Sequence, residues 1–277
     1  MSILYAILLG LIQGITEFLP ISSSGHLSLL NNLFGLSTEG EGHVFFDVLL
    51  HLGTLVSIAV VYWKDIVAMF YEVLGFVNLG PAAGERKSRY PAARLFFMII
   101  MATLPLVLIL PMKDQLESLY YHSVFIGISL ILTGCMLYVS DKMTPGKKSE
   151  TNMTILDALI IGLCQCVAVI PGLSRSGTTI TAGIATGLNR GFAVKFAFLM
   201  SIPSVLGATI LSVVDAAREG IDIALIPAYI AGMVAALLSG LAAINLIRYI
   251  AQKGKFGGFA YYCWVVGALT VILTMIF

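Results

Sequence analysis

Pro171-Gly172-Leu173-Ser174-Arg175-Ser176-Gly177-Thr178-Thr179 interrupts sequence that is otherwise strongly apolar. The flanking runs, Leu156 to Ile170 and Ile180 to Leu188, are each shorter than the roughly 20 helical residues needed to cross a bilayer. Pro-Gly stops the first run as a helix, and Ser174 is placed to cap the second. The start of that second helix offers free N–H groups and a positive dipole end, which bind anions. Arg175 adds a planar fork matched to phosphate, and an arginine at membrane depth marks a functional site. The stretch reads as an intramembrane phosphate cradle. The competing reading is a polar loop with Arg175 snorkelling to a headgroup.

Composition supports membrane burial. The chain is 58% hydrophobic and 11% charged, against about 25% charged for a soluble domain, and is expected to be an all-α polytopic membrane protein. Its net charge of +1 gives no reason to expect nucleic acid. Met1 to Tyr5 contains no basic residue, so no cleavable signal peptide is expected. Cys135, Cys164, Cys166 and Cys263 lie in apolar runs and are expected to be reduced and buried. Cys164-x-Cys166 is more closely spaced than paired zinc ligands.

The opening block of the chain repeats the stretch described above. Leu4, Ala6, Gly10, Leu11, Gln13, Ser22, Ser24 and Gly25 match Leu156, Ala158, Gly162, Leu163, Gln165, Ser174, Ser176 and Gly177 at a constant offset of 152. Phe46, Leu49 and Leu55 then fall against Phe196, Leu199 and Val205 at an offset of 150. The chain reads as one integral membrane domain, 1–277, with internal repeats of approximately 1–150 and 151–277, each opening with a broken helix pair.

The remaining apolar runs predict six spans, at Val44–Trp63, Ala92–Leu110, Val124–Ser140, Ala193–Val214, Ile226–Ile247 and Phe259–Phe277. Three spans per half give the halves opposite orientation. If each broken pair dips in and returns to its own side, the basic loops sort to one face. They carry Lys64, Arg86, Lys87, Arg89 and Arg94, then Lys142, Lys147 and Lys148, then Arg248, Lys253 and Lys255. The other face receives Glu39 and Glu41, then Lys113, Asp114 and Glu117, then Asp215, Arg218, Glu219 and Asp222. The basic face is cytoplasmic. The expected fold is thus an inverted-topology repeat of six transmembrane helices and two re-entrant broken-helix pairs whose tips meet near the midplane, a transporter-like plan.

The first tip contributes Gln13, Glu17, Ser22, Ser23, Ser24 and His26. Gln13 and Glu17 share a helical face, and a carboxylate at this depth needs a partner: Arg175, His26 or a metal. Ser23 and His26 suggest a nucleophile and base, or a histidine nucleophile with hydroxyl support. The second tip adds Ser174, Arg175, Ser176, Thr178 and Thr179 as anion contacts. Acid–base groups facing anion clamps suit phosphoryl transfer, where catalysis is mostly positioning and charge stabilisation. Asp47 and His51, four apart, either face the site or form a structural pair, and Lys195 also lies near a span. His43 and His122 are expected at the membrane interface.

Gln13-Gly-Ile-Thr-Glu17 resembles the (Glu/Gln)-x-x-x-Glu motif of the bacitracin-resistance family of undecaprenyl-diphosphate phosphatases, with Gln where many members carry Glu. Pro171 to Thr179 is similar to that family's Pro-Gly-x-Ser-Arg-Ser-x-x-Thr motif, and Ser22-Ser-Ser-Gly-His26 to its serine–histidine segment. The resemblance spans the whole chain. It implies a bacterial cytoplasmic-membrane enzyme that removes the terminal phosphate of undecaprenyl diphosphate, recycling the lipid carrier of peptidoglycan synthesis. It implies Glu17, Ser23, His26 and Arg175 in catalysis, with Gln13, Ser22, Ser24, Ser174, Ser176, Thr178 and Thr179 on the substrate. It further implies a divalent cation, Mg2+ or Ca2+, at Glu17 and Gln13, and a site open to the outer face. Bacitracin then competes for the same lipid, and a homodimer is the assembly to test. The rival is a flippase for polyprenyl phosphate, which needs Arg175 and a groove but not His26. An acid-phosphatase type of lipid phosphatase is rejected, because no histidine follows Arg175.

Overall fold

The computed structural model describes residues 1–33, 43–76, 91–144, 146–219 and 223–276. Glu39, Glu41, Arg86, Lys87, Arg89 and Asp222 lie outside the described residues, as do the side chains of His43, Lys113, Asp114, Glu117, Asp215, Arg218 and Glu219. Among the described residues the fold is all helical. The first half holds α1 (Ile3–Phe18), α2 (Ser23–Leu33), α3 (His43–Val61), α4 (Trp63–Phe76), α5 (Pro91–Thr103), α6 (Lys113–Ser118) and α7 (Ser123–Lys142). The second holds α8 (Ile155–Val167), α9 (Arg175–Ala185), α10 (Arg190–Glu219), α11 (Ile226–Lys253) and α12 (Gly257–Ile276).

Five described helices are long and apolar enough to cross a membrane: Pro91–Met112, where α5 continues as a 3₁₀ segment, Ser123–Lys142, Arg190–Ile210, Ile223–Lys253 and Gly257–Ile276. A sixth span is reached by joining α3 to α4 across a 77° bend at Tyr62. Val107, Leu108, Leu238, Val265 and Ile272 on these helices are exposed, as lipid-facing side chains must be. The chain is a multi-pass membrane protein. α1 and α8, of 16 and 13 residues, are apolar but too short to span. All four cysteines are free, but only Cys263 is buried; Cys135 is exposed and Cys164 and Cys166 are half-buried. The expectation of burial fails because an apolar run in a bilayer can face lipid instead of protein.

Small residues allow the closest helix contacts, as expected where lipid removes any hydrophobic drive for helices to associate. A Cβ on Gly10 would lie 2.2 Å from the Gly232 carbonyl, and one on Gly14 would lie 2.4 Å from the Ala236 carbonyl, so α1 lies backbone-to-backbone on α11. Gly162, the repeat counterpart of Gly10, presses α8 on α5 in the same way, 2.3 Å from the Ala102 carbonyl. Gly127 and Gly267 bring α7 and α12 together. Each half's short opening helix therefore packs on a long helix of the other half.

Ion pairs gather where the α7–α8 and α9–α10 connections meet. Lys148 pairs with Asp157 at 2.8 Å, Arg190 with Asp141 at 3.3 Å, and Lys195 with both Asp65 at 2.6 Å and Glu150 at 3.0 Å. Asp157 also completes a capping box with Thr154, fixing the start of α8. Lys195 thus anchors connections and does not reach the tips. His51 Nδ1 meets the Asp47 carbonyl at 2.9 Å within one helical turn. His122 precedes α7 and is exposed.

Candidate active site

The two tips are built alike. α8 ends four residues before Pro171, and Ser174 caps α9: its Oγ accepts from Gly177 N at 3.1 Å and its carbonyl from Thr178 N at 2.8 Å. At the first tip Ser22 Oγ accepts from Gly25 N at 3.2 Å and its carbonyl from His26 N at 3.2 Å. Ser22 Oγ lies 3.3 Å from Ser24 Oγ, and Ser174 Oγ 3.2 Å from Ser176 Oγ. Ser22 holds φ at 72°, a left-handed backbone that costs a residue with a side chain on the order of 1–3 kcal/mol and clusters at functional sites.

Helix α7 anchors the second tip. Thr133 is fully buried; its hydroxyl donates to the Gly172 carbonyl at 3.3 Å and accepts from Ser174 N at 3.1 Å. Gly172 has φ 88°, and a Cβ there would meet the Ile126 carbonyl at 2.7 Å, so only glycine fits. The tips touch directly. Ser176 Oγ donates to the Leu19 carbonyl at 3.3 Å, and a Cβ on Gly25 would lie 3.2 Å from Gly172 Cα.

Across that contact runs one chain of side chains. The Arg175 guanidinium bonds Glu17 Oε1, and its Nη1 reaches Ser204 Oγ at 3.4 Å. Ser23 Oγ donates to Glu17 Oε2 at 2.6 Å, and Gln13 Nε2 reaches the same oxygen at 3.2 Å. Arg175 therefore supplies the partner that the buried Glu17 needs. Beside the pair is a cavity with room for about one water, walled by Phe18, Ser176, Thr179, Ala197, Phe198 and Ser201.

The structure arranges the first tip differently from a Ser23–His26 pair. Ser23 turns to Glu17, while His26 folds back one turn: Nδ1 lies 2.7 Å from the Ser22 carbonyl and Nε2 2.8 Å from the Tyr262 hydroxyl. A carbonyl only accepts, so Nδ1 carries the proton and Nε2 of the neutral ring takes the tyrosine proton. Several hydroxyls expected on substrate are spent on the tips themselves. Ser22, Ser24 and Ser174 make the bonds above, and Thr179 Oγ1 donates to the Arg175 carbonyl at 2.8 Å. Thr178 Oγ1 is buried without a partner. Sequence reasoning missed Thr133, Ser201, Ser204 and Tyr262; each belongs to no motif within its spanning helix, and only Pro203, inside α10, gave any local signal.

Among the described residues no group of three His, Cys, Asp or Glu side chains could hold a metal ion. Gln13 Oε1, however, is buried with no hydrogen-bond partner, one helical turn from Glu17. A magnesium-like ion needs few protein oxygens when substrate phosphates supply others. Gln13 and Glu17 fit such a shared ion, provided that Glu17 releases one of its present partners.

Fold and site together define an integral membrane protein with a buried carboxylate–arginine–serine array at the junction of two short helix pairs. The chain belongs to the family described as bacitracin resistance protein BacA, whose model matches residues 6–269. It is similar to proteins named undecaprenyl-diphosphatase: 38% identical to that of Methanosphaera stadtmanae over 100% of this chain and 99% of the relative. Identity is 40% to that of Alkaliphilus metalliredigens over 100% of both chains, and 39% to that of Carboxydothermus hydrogenoformans over 99% of this chain and 98% of the relative.

Proposed function

We propose that this protein hydrolyses undecaprenyl diphosphate to undecaprenyl phosphate and inorganic phosphate, recycling the carrier lipid and conferring bacitracin resistance by competing with the antibiotic for that lipid. The observation that carries the proposal is the bonded array Arg175–Glu17–Ser23, which joins an anion clamp to an activated hydroxyl. The guanidinium is held by Glu17. A diphosphate competes for that fork and for the N–H groups of Arg175 and Ser176 at the start of α9. Once Arg175 has turned to phosphate, Glu17 is free to take the proton of Ser23. Ser23 Oγ attacks the terminal phosphorus, the bond from that phosphorus to the bridging oxygen breaks, and undecaprenyl phosphate leaves with that oxygen. Water then displaces the serine oxygen, to which Glu17 returns its proton, while His26 Nε2 accepts a proton of the water and passes it to bulk water as phosphate leaves, restoring the neutral ring. Gln13 and Glu17 would hold the divalent cation, Mg2+ or Ca2+, which when bound neutralises phosphate charge.

Purified protein with Mg2+ or Ca2+ is expected to release inorganic phosphate from long-chain polyprenyl diphosphates and to lose that activity on chelation. Lipid binding without phosphate release from monodisperse protein would overturn the enzyme reading. Lipid flipping is a second reading, favoured by the exchange of partners between halves, in which α1 lies on α11 as α8 lies on α5. Transfer of labelled lipid across vesicles by a Ser23→Ala variant tests it separately.

The same exchange, with the matching tip hydrogen bonds, supports one integral membrane domain with inverted repeats of approximately 1–150 and 151–277, whose α1–α2 and α8–α9 pairs are re-entrant. By charge the ends bearing Lys147 and Lys255 are cytoplasmic and the site opens outward in the bacterial cytoplasmic membrane. In a cysteine-free background, a cysteine at Ser118 or Ile223 is expected to react with an impermeant thiol reagent in intact cells, and one at Lys147 or Lys255 is not. The reverse pattern would overturn this topology. A homodimer is the proposed assembly.

A further inference from the structure

Tyr262 sits on α12, 236 residues from His26, yet its hydroxyl is 2.8 Å from Nε2. The ring centroids are 5.7 Å apart and the ring planes 9° from parallel. The next residue, Cys263, is fully buried with Sγ 3.9 Å from the Pro20 carbonyl, which sets α12 against the first tip. The imidazole is thus held at two points: Nδ1–H on the Ser22 carbonyl and the Nε2 lone pair on the tyrosine hydroxyl. The Ser22 carbonyl alone would fix the tautomer but not the ring plane.

We infer that Tyr262 is a positioning residue for His26. Its hydroxyl, on the side of the ring away from the Ser22 carbonyl, fixes the imidazole's orientation and keeps the Nε2 lone pair directed until substrate and water take its place. The kinetic part of this inference rests on the phosphatase reading above; the spectroscopic part does not. Tyr262→Phe keeps the ring and removes the hydroxyl. In protein labelled with 15N-histidine, the His26 resonances, assigned by their loss in His26→Ala, should show an Nδ1–H tautomer. The Nε2 signal should shift in Tyr262→Phe. Turnover by Tyr262→Phe should fall about three- to tenfold, the worth of one neutral hydrogen bond, with KM and thermal midpoint near those of the parent. In a His26→Ala background the same change should cost nothing further, because its effect passes through the imidazole. An unmoved Nε2 signal, unchanged turnover, or a loss that adds to that of His26→Ala would each overturn the inference. If the parent releases no phosphate, the phosphatase reading fails and the Nε2 signal alone decides the role of Tyr262.

Discussion

Arg175→Lys is expected to lose about a hundredfold or more in turnover while melting near the parent temperature. Lysine keeps a positive charge beside Glu17, whose side chain is only 6% exposed, so the buried carboxylate stays compensated. It loses the planar fork that spans two phosphate oxygens. Removing one strong anion donor from a dry site costs roughly 3 kcal/mol at the transition state. Arg175→Ala is a poorer test, because stripping the partner from a buried carboxylate costs about 3–5 kcal/mol of stability by itself. The informative companion is Glu17→Gln with Arg175→Gln, which removes both charges. It should regain the thermal stability that Arg175→Ala loses and remain inactive. Substantial turnover by that double variant would show that Arg175 serves only to balance Glu17, and would end the clamp proposal.

Gly14→Ala should lose both stability and activity. A Cβ at Gly14 would lie 2.1 Å from Ser239 Oγ, 2.4 Å from the Ala236 carbonyl and 2.8 Å from Gly240 N. Two of these atoms are backbone and cannot swing aside, so α1 must shift away from α11. Overpacking of this kind costs typically 1–3 kcal/mol. The same helix carries Gln13 and Glu17, and a displacement of about 1 Å at reacting groups can cost a hundredfold in rate. Gly207→Ala in α10 is the control, since a Cβ there meets nothing within 4 Å. It should be neutral or slightly stabilising, by the usual preference of helix interiors for alanine. Thermal midpoints in detergent together with phosphate release decide the matter; a Gly14→Ala protein equal to Gly207→Ala on both counts would contradict the close contact described.

What the sequence made readable was whatever is encoded locally. The break at Pro171, the Ser174 cap and the matching tip serines follow from rules that act within a turn of helix. The partners of Glu17 were narrowed to three because a buried charge leaves few options, yet choosing Arg175 needed the contact between the tips, 158 residues apart. Ser23 and His26 looked like a pair by spacing. The left-handed backbone at Ser22 and the hydroxyl of Tyr262 turn the imidazole elsewhere, and neither leaves a trace in spacing. Thr133, Ser201 and Ser204 escaped notice because a hydroxyl in an apolar helix can always satisfy itself on its own backbone, as Ser201 does on the Phe198 carbonyl at 2.7 Å. The 77° bend at Tyr62 likewise has no proline or glycine to announce it.

The pairing of α1 with α11 has a consequence for biogenesis. Ser239 Oγ meets the Gly10 carbonyl at 3.4 Å across 229 residues of sequence. At roughly 5–20 residues per second, a ribosome takes on the order of ten to fifty seconds to add that length. Throughout that interval α1 has been made but its partner has not, and a helix too short to span must wait with its glycine face uncovered. The first tip can settle only when about five-sixths of the chain has been made, so nascent chains arrested before α11 hold the first tip without the surface that positions it.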